Sequence, residues 1–164
     1  AFEDGMNGLV KTGIIPAISE FVLSGNPFLG ICLGMQMLLE YSNEFGSHKG
    51  LGYIKGVVNK IPEKERGIHA RKIPHIGWNA LYNPTLSHDW KKSILNGLNE
   101  GEYFYFLHSF MVEAQNNENL LAQCYYEGIN ITAAIKKDNI TGLQFHPEKS
   151  GECGLKVLKS FVCD

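Results

Sequence analysis

A single α/β domain with inserted antiparallel strands is the fold class this chain predicts, and three observations predict it. The front of the chain alternates helix, strand and helix patterns, the order that builds a parallel sheet. From residue 53 onward the pattern changes to short apolar runs separated by turn residues, followed by a closing amphipathic helix. No repeat, low-complexity tract or linker divides the 164 residues, a length suited to one substantial core. Residues 1–164 are therefore read as one domain.

In order along the chain, Met6, Leu9 and Val10 have helical spacing, with Gly13 as a C-terminal stop. Pro16 suits the first turn of a second helix carrying Ile18, Phe21 and Val22. Gly25-Asn26-Pro27 breaks it, and "FLGI" (28–31) follows as a continuously apolar strand of the kind buried on both faces. "LGMQMLLEYSNEF" (33–45) resumes helical spacing, and "GSHKGLG" is a loop. "YIKGVVNKI" and "RKIPHIGWNALY" read as strands and turns, and "HDWKKSILNGL" as a short amphipathic helix or turn. Three β-rich runs come next: "EYFYFLHSFMVE", "LLAQCYYEGINITAAIKKD" and "NITGLQFHPE". The final helix, "GLKVLKSFV", places Leu155, Leu158, Phe161 and Val162 on one side, away from Lys156 and Lys159.

Composition excludes several functions. A net charge of -2 with scattered basic residues gives no general attraction for nucleic acid or anionic membrane. No apolar stretch approaches the roughly 18 to 20 residues of a membrane span, and no signal-peptide pattern opens the chain. Cys32, Cys124, Cys153 and Cys163 lack CxxC spacing and read as reduced thiols of a cytosolic protein. The six histidines lack metal-ligand spacing, so neither metal nor cofactor is expected. His75 and His108, in apolar strand-like segments, read as hydrogen-bonded structural histidines, and His48, His69 and His88 as solvated loop residues.

Gly30-Ile31-Cys32-Leu33-Gly34 has the G-x-nucleophile-x-G form, in which a strand enters a helix through a tight turn that exposes the nucleophile at the strand's carboxyl end. The flanking glycines would avoid clashes, and the helix N-terminus would favour the thiolate and lower the pKa below the usual ~8.5. The Leu33 N–H is placed to donate to a tetrahedral oxyanion. The competing reading of Cys32 is a small buried hydrophobe in a tight spot. A cysteine nucleophile needs a base and a group to hold it. His146 follows the strand-like Leu143 to Phe145, and Glu148, two residues on, would lie on the same side of an extended backbone.

With these residues assembled, the chain resembles the class I (triad) glutamine amidotransferases. "PFLGICLGMQMLLEYS" and "TGLQFHPEKS" match the family's two triad segments. "IPHIGWNAL" and "YFYFLHSFMV" are most similar to the branch that serves as glutaminase subunit of imidazole glycerol phosphate synthase. The fold implied is flavodoxin-like: a mixed, mostly parallel sheet flanked by helices. The activity implied is hydrolysis of glutamine to glutamate and ammonia by Cys32, His146 and Glu148. The resemblance assigns Leu33, Gln36 and the His108-Ser109-Phe110 backbone to the glutamine site. It also implies a (β/α)₈-barrel cyclase partner that receives ammonia in histidine biosynthesis, with Trp78, Asn79 and Lys149 as candidates for the docking face. In the family a first βαβ segment precedes the position matching Ala1-Phe2 and supplies the second oxyanion donor. The expectation is an N-terminally truncated domain, and loss of one such donor lowers rates by ~10² to 10³.

Two other readings stay open. A paralogue could feed ammonia to an enzyme that amidinates a surface sugar. A non-catalytic docking or regulatory subunit is the alternative of another class, opposed by the presence of Cys32, His146 and Glu148 together; an elbow-type thiol esterase or peptidase leaves Gln36 without a role.

Overall fold

The computed structural model describes residues 1–63, 70–84 and 90–163. Helix α1 (Phe2–Thr12) carries Glu3 and Asp4 in its first turn and Lys11 in its last, matching the helix dipole. It ends where Gly13, at φ 66°, donates its N–H to Leu9 and Val10 carbonyls. Helix α2 (Ile15–Leu23) starts with Pro16 in its first turn. Strand β1 (Phe28–Ile31) then leads through Cys32 into α3 (Leu33–Met37).

The helix after the cysteine is far shorter than its apolar spacing predicts. Chain 39–42 instead forms β2 (Leu39–Ser42), beside β3 (His48–Lys49) and β4 (Ile54–Lys60). The cause is tertiary. Gly50, Leu51 and Gly52 donate N–H groups to the carbonyls of Glu40, Met37 and Leu39, and Ile54 donates to Leu38. Those carbonyls would otherwise continue the helix. The segment "GSHKGLG" is thus a docked brace, and Gly50 lies so close that a Cβ there would sit 2.2 Å from the Leu39 oxygen.

Strand β5 (His75–Ala80) pairs antiparallel with β6 (Tyr103–His108). At Ser109 the run "EYFYFLHSFMVE" divides, and β7 (Phe110–Ala114) pairs with β4 in a different sheet. Strands β8 (Leu120–Tyr126), β9 (Ile129–Lys137) and β10 (Ile140–Leu143) follow, and α4 (Gly151–Cys163) closes the chain. The sheet orders are β1-β10-β9-β8, β3-β2-β4-β7 and β5-β6.

The architecture is mixed α/β, with a smaller parallel share than predicted. Among the described residues only β1/β10 and β2/β4 pair in parallel. The turns at Glu127-Gly128 and Asp138-Asn139 are too short for anything but antiparallel partners. Strand β1 lies at a sheet edge and is only partly buried, rather than covered on both faces. One core gathers Phe104, Phe106, Phe145, Ile131 and Val157; a second gathers Phe2, Met35, Leu39, Ile54 and Val112.

Helix α4 is rotated relative to the sequence reading. Gly154 and Val157 are buried and Leu158 and Phe161 partly so, while Leu155 is 64% and Val162 81% exposed. Gly154 fixes this phase, because a Cβ there would lie 1.9 Å from the Pro147 oxygen. Segment 88–98 is described only from Trp90, which opens a 3-10 turn to Lys92. His69 and His88 fall outside the described residues.

Candidate active site

The site is set by register. Gly30 pairs with Gly142 and Ile31 with Leu143, so β1 and β10 end level with one another. The residues after each strand therefore emerge at the same sheet edge: Cys32 after β1, and Gln144, Phe145 and His146 after β10. The Cys32 N–H donates to the Leu143 oxygen at 2.6 Å and ties the two exits together. Cys32 has φ 51° and ψ -108°, the strained geometry that the elbow predicts. Gly30 is required: a Cβ there would meet Gly34 backbone atoms at 2.7 Å. Gly34 has open space around its Cβ direction, so only one of the two predicted glycine roles is steric.

The thiol does not follow the predicted shift. Burial raises the Cys32 pKa above the ordinary cysteine value, and nearby Glu148 adds to the rise. The Leu33 N–H, the Gln144 amide and Lys149 act in the opposite direction without cancelling it. Helix α3 has only five residues, too few turns for a large dipole to outweigh desolvation. Accordingly Cys32 Sγ donates to the Leu107 oxygen at 3.8 Å and accepts from Gln144 Nε2 at 3.7 Å.

His146 and Glu148 form the expected pair. The carboxylate accepts from His146 Nδ1 at 2.7 Å, leaving Nε2 as the basic nitrogen. The backbone route differs, since Pro147–Lys149 is a 3-10 turn rather than extended chain. The His146 N–H donates to the Tyr105 oxygen at 2.9 Å, anchoring the turn to β6. Among the described residues no hydrogen bond joins Cys32 to His146.

Cys32, Leu33, Gln36, His108, Ser109 and Phe110 all line one cavity of about 590 Å³. The break between β6 and β7 is what bends this backbone into the wall. Asn43, Glu44, Phe45, Lys60 and Leu107 complete much of the lining and were not marked by sequence reasoning. Gln36 is buried, and its nitrogen donates to the Phe110 oxygen at 3.2 Å and to Gln144 Oε1 at 3.1 Å. Gln144 was also missed; a polar residue between Leu143 and Phe145 at a buried strand end was its available signal.

His75 and His108 are buried and structural. His108 Nδ1 donates to the Phe110 oxygen at 2.8 Å, so its Nε2 accepts from His75 Nδ1 at 3.0 Å. Burial lowers His75 to about 3, aided by His108, and lowers His108 to about 4, so both rings are neutral. His48 is part-buried rather than solvated, and its Nε2 has no hydrogen-bond partner among the described residues. No cluster of metal-binding residues exists among the described residues, and no described helix is long and apolar enough to cross a membrane.

Of the three docking-face candidates, Trp78 and Asn79 are neighbours on β5 and separate by strand alternation, while Lys149 lies in the 3-10 turn. Trp78 is 55% exposed and lies edge-on to Tyr105 at 6.2 Å, while Lys149 Nζ lies 5.9 Å from the same ring. Ile76, Tyr103 and Leu107 extend this exposed face along β5 and β6. Asn79 instead turns inward, donating to the Tyr125 oxygen at 2.9 Å and approaching His75 Nε2 at 3.4 Å.

The chain is similar to known proteins in sequence and in fold. The family model described as "Glutamine amidotransferase class-I" matches residues 7–164. Imidazole glycerol phosphate synthase subunit HisH 1 of Legionella pneumophila (strain Lens) is 49% identical over 162 residues, covering 99% of this chain and 76% of the relative. The HisH subunit of Wolinella succinogenes is 46% identical over 162 residues, covering 98% and 75%. A solved glutamine amidotransferase structure superposes with a TM-score of 0.62 at 15% identity, covering 94% of this chain and 71% of that one. Another from Thermotoga maritima gives 0.57 at 17% identity; it covers 98% of this chain, which spans only 57% of that structure's length. At these identities the structures speak for the fold alone.

Proposed function

The chain belongs to the class I glutamine amidotransferase family, and on that premise we propose that it is the glutaminase subunit of a cytoplasmic imidazole glycerol phosphate synthase. The observation that carries the chemistry is the elbow cysteine beside a carboxylate-held histidine, on two strands whose register brings both to one edge. Cys32 Sγ attacks the side-chain amide carbon of glutamine as His146 Nε2 takes the thiol proton. The Leu33 N–H stabilises the oxyanion, and His146 returns the proton to the departing ammonia. Water activated by His146 then cleaves the γ-glutamyl thioester, releasing glutamate and free Cys32. Glu148 holds the imidazole tautomer and stabilises its cation. Glu44 and Lys60 give the cavity wall both charge signs, which suits a zwitterionic amino acid.

Ammonia is retained only when handed over inside an assembly. The face formed by exposed Trp78 and Lys149 around part-buried Tyr105 supports docking of a (β/α)₈-barrel cyclase, and it continues to Leu107, whose oxygen contacts the nucleophile. The relatives' subunit names support the same partner and histidine biosynthesis as the pathway. The test is ammonia release from glutamine with and without a cyclase, for the wild-type chain and Cys32→Ala. Turnover that requires Cys32 supports the reading; turnover unchanged by the substitution defeats it.

A further inference from the structure

A buried polar side chain with no part in the proton transfers lies directly against the nucleophile. Gln144 follows β10, is fully buried, and directs its amide nitrogen at Cys32 Sγ from 3.7 Å. One backbone group fixes this direction. The Phe110 carbonyl can only accept, so the Gln36 nitrogen must face it at 3.2 Å. The second N–H of that nitrogen meets the Gln144 oxygen at 3.1 Å, which leaves the Gln144 nitrogen facing sulfur. The Phe110 carbonyl is held in turn by His108 Nδ1 at 2.8 Å. Burying an amide is unfavourable unless each polar end is matched, and here both ends are.

The two forms of the sulfur need opposite partners. A thiol needs an acceptor, which the Leu107 carbonyl provides; an anionic sulfur needs donors. Leu33 N–H is the other donor acting on sulfur, and catalysis requires it for the oxyanion. Gln144 is the donor that can stay on sulfur while the Leu33 N–H turns to substrate. We propose that Gln144 is a positioning residue that holds the Cys32 sulfur for attack, through an amide whose orientation is locked by Gln36 and the Phe110 carbonyl. This rests on Cys32 being the nucleophile and names what prepares it.

The test measures alkylation of each cysteine by iodoacetamide across pH, read by mass spectrometry on the full chain and on Gln144→Met and Gln144→Leu. Glu148 and Lys149, the charged side chains acting on the sulfur, and His146 and His108 nearby are unchanged in both variants. Exposed Cys163 is the internal reference. Methionine keeps the unbranched shape of glutamine, and leucine offers a second apolar replacement. The expected result is Cys32 alkylation slower by roughly two- to tenfold at neutral pH, with its pH profile moved upward and Cys163 unaffected. A Cys32 profile that superimposes on wild type in a folded variant overturns the proposal. Alkylation uses no glutamine, so a chain inactive toward glutamine that still shows the shift retains the role of Gln144 and loses the glutaminase reading. Glutamine hydrolysis with an unshifted profile gives the reverse.

Discussion

Two histidine sites are anchored on β6, one through His108 within the strand and one through the Tyr105 carbonyl that holds the His146 N–H, and they are built for opposite purposes. His146 rests its Nδ1 on the Glu148 carboxylate at 2.7 Å, with a side chain 19% exposed, and keeps Nε2 available. His75 and His108 are buried, bond each other at 3.0 Å, and have their ring nitrogens partnered by a carbonyl and an amide. The first pair keeps one ring nitrogen unpartnered for chemistry; the second excludes an added proton, as values of about 3 and 4 express. Reactivity here follows from the partner and a free nitrogen, not from the residue type. Stacking of His75 against Phe106 and Tyr126, with centroids 4.8 and 4.0 Å away, marks its role as packing.

Removing chemistry should separate the two sites most sharply. Cys32→Ala is expected to lower glutaminase turnover by roughly 10⁴-fold or more, and His146→Asn by a similar factor, because nucleophile and base act as a unit. Circular dichroism should show both variants folded. Glu148→Gln is the next largest, at up to roughly 10⁴-fold in kcat with KM for glutamine little changed, since the wrong tautomer can then face the thiol. His75→Leu should act on stability instead. It strands His108 Nε2 and removes the weaker contact of an Asn79 amide that keeps its bond to the Tyr125 oxygen, and denaturant unfolding should report a loss of about 1–3 kcal/mol. A His75→Leu variant as inactive as His146→Asn but fully stable would erase the distinction.

The acid limb offers a finer contrast. His75 and His108 are neutral in the fold but protonate near their ordinary 6.5 when unfolded, so the unfolded state binds more protons below that pH. Their contribution is complete above about 6.5 and is lost as pH falls toward 4 and then 3. Thermal unfolding measured through this window should show a falling Tm in wild type and a shallower slope in His75→Leu. The smallest effect belongs to Gly34: Gly34→Ala should be nearly neutral, within roughly 1 kcal/mol, whereas Gly30→Ala, on the other side of the same elbow, should disrupt the turn.

The parts legible in the sequence are those written in local chemistry. Gly30 and Cys32 announced the strained elbow, His146-Pro147-Glu148 the held base, and Gly13 and Pro16 the helix boundaries. What failed depended on contacts made from a distance. Nothing within 33–45 says that Gly50, Leu51 and Gly52 will take the carbonyls that the helix needs. The apolar spacing of α4 could not reveal that Gly154 packs on Pro147 and turns Leu155 outward. The direction of the Cys32 shift depended on weighing burial against a dipole, and only the structure gives the extent of burial and the shortness of α3. Gln144 looked like part of a strand until its amide was seen against sulfur.

The most direct test of the central claim is to quench the wild-type chain in acid while it turns over isotopically labelled glutamine and map the label by mass spectrometry. A γ-glutamyl group on Cys32, absent in Cys32→Ala and greatly slowed in His146→Asn, is the predicted result. Label on Cys124, Cys153 or Cys163, or turnover with no covalent adduct and no dependence on Cys32, would contradict it.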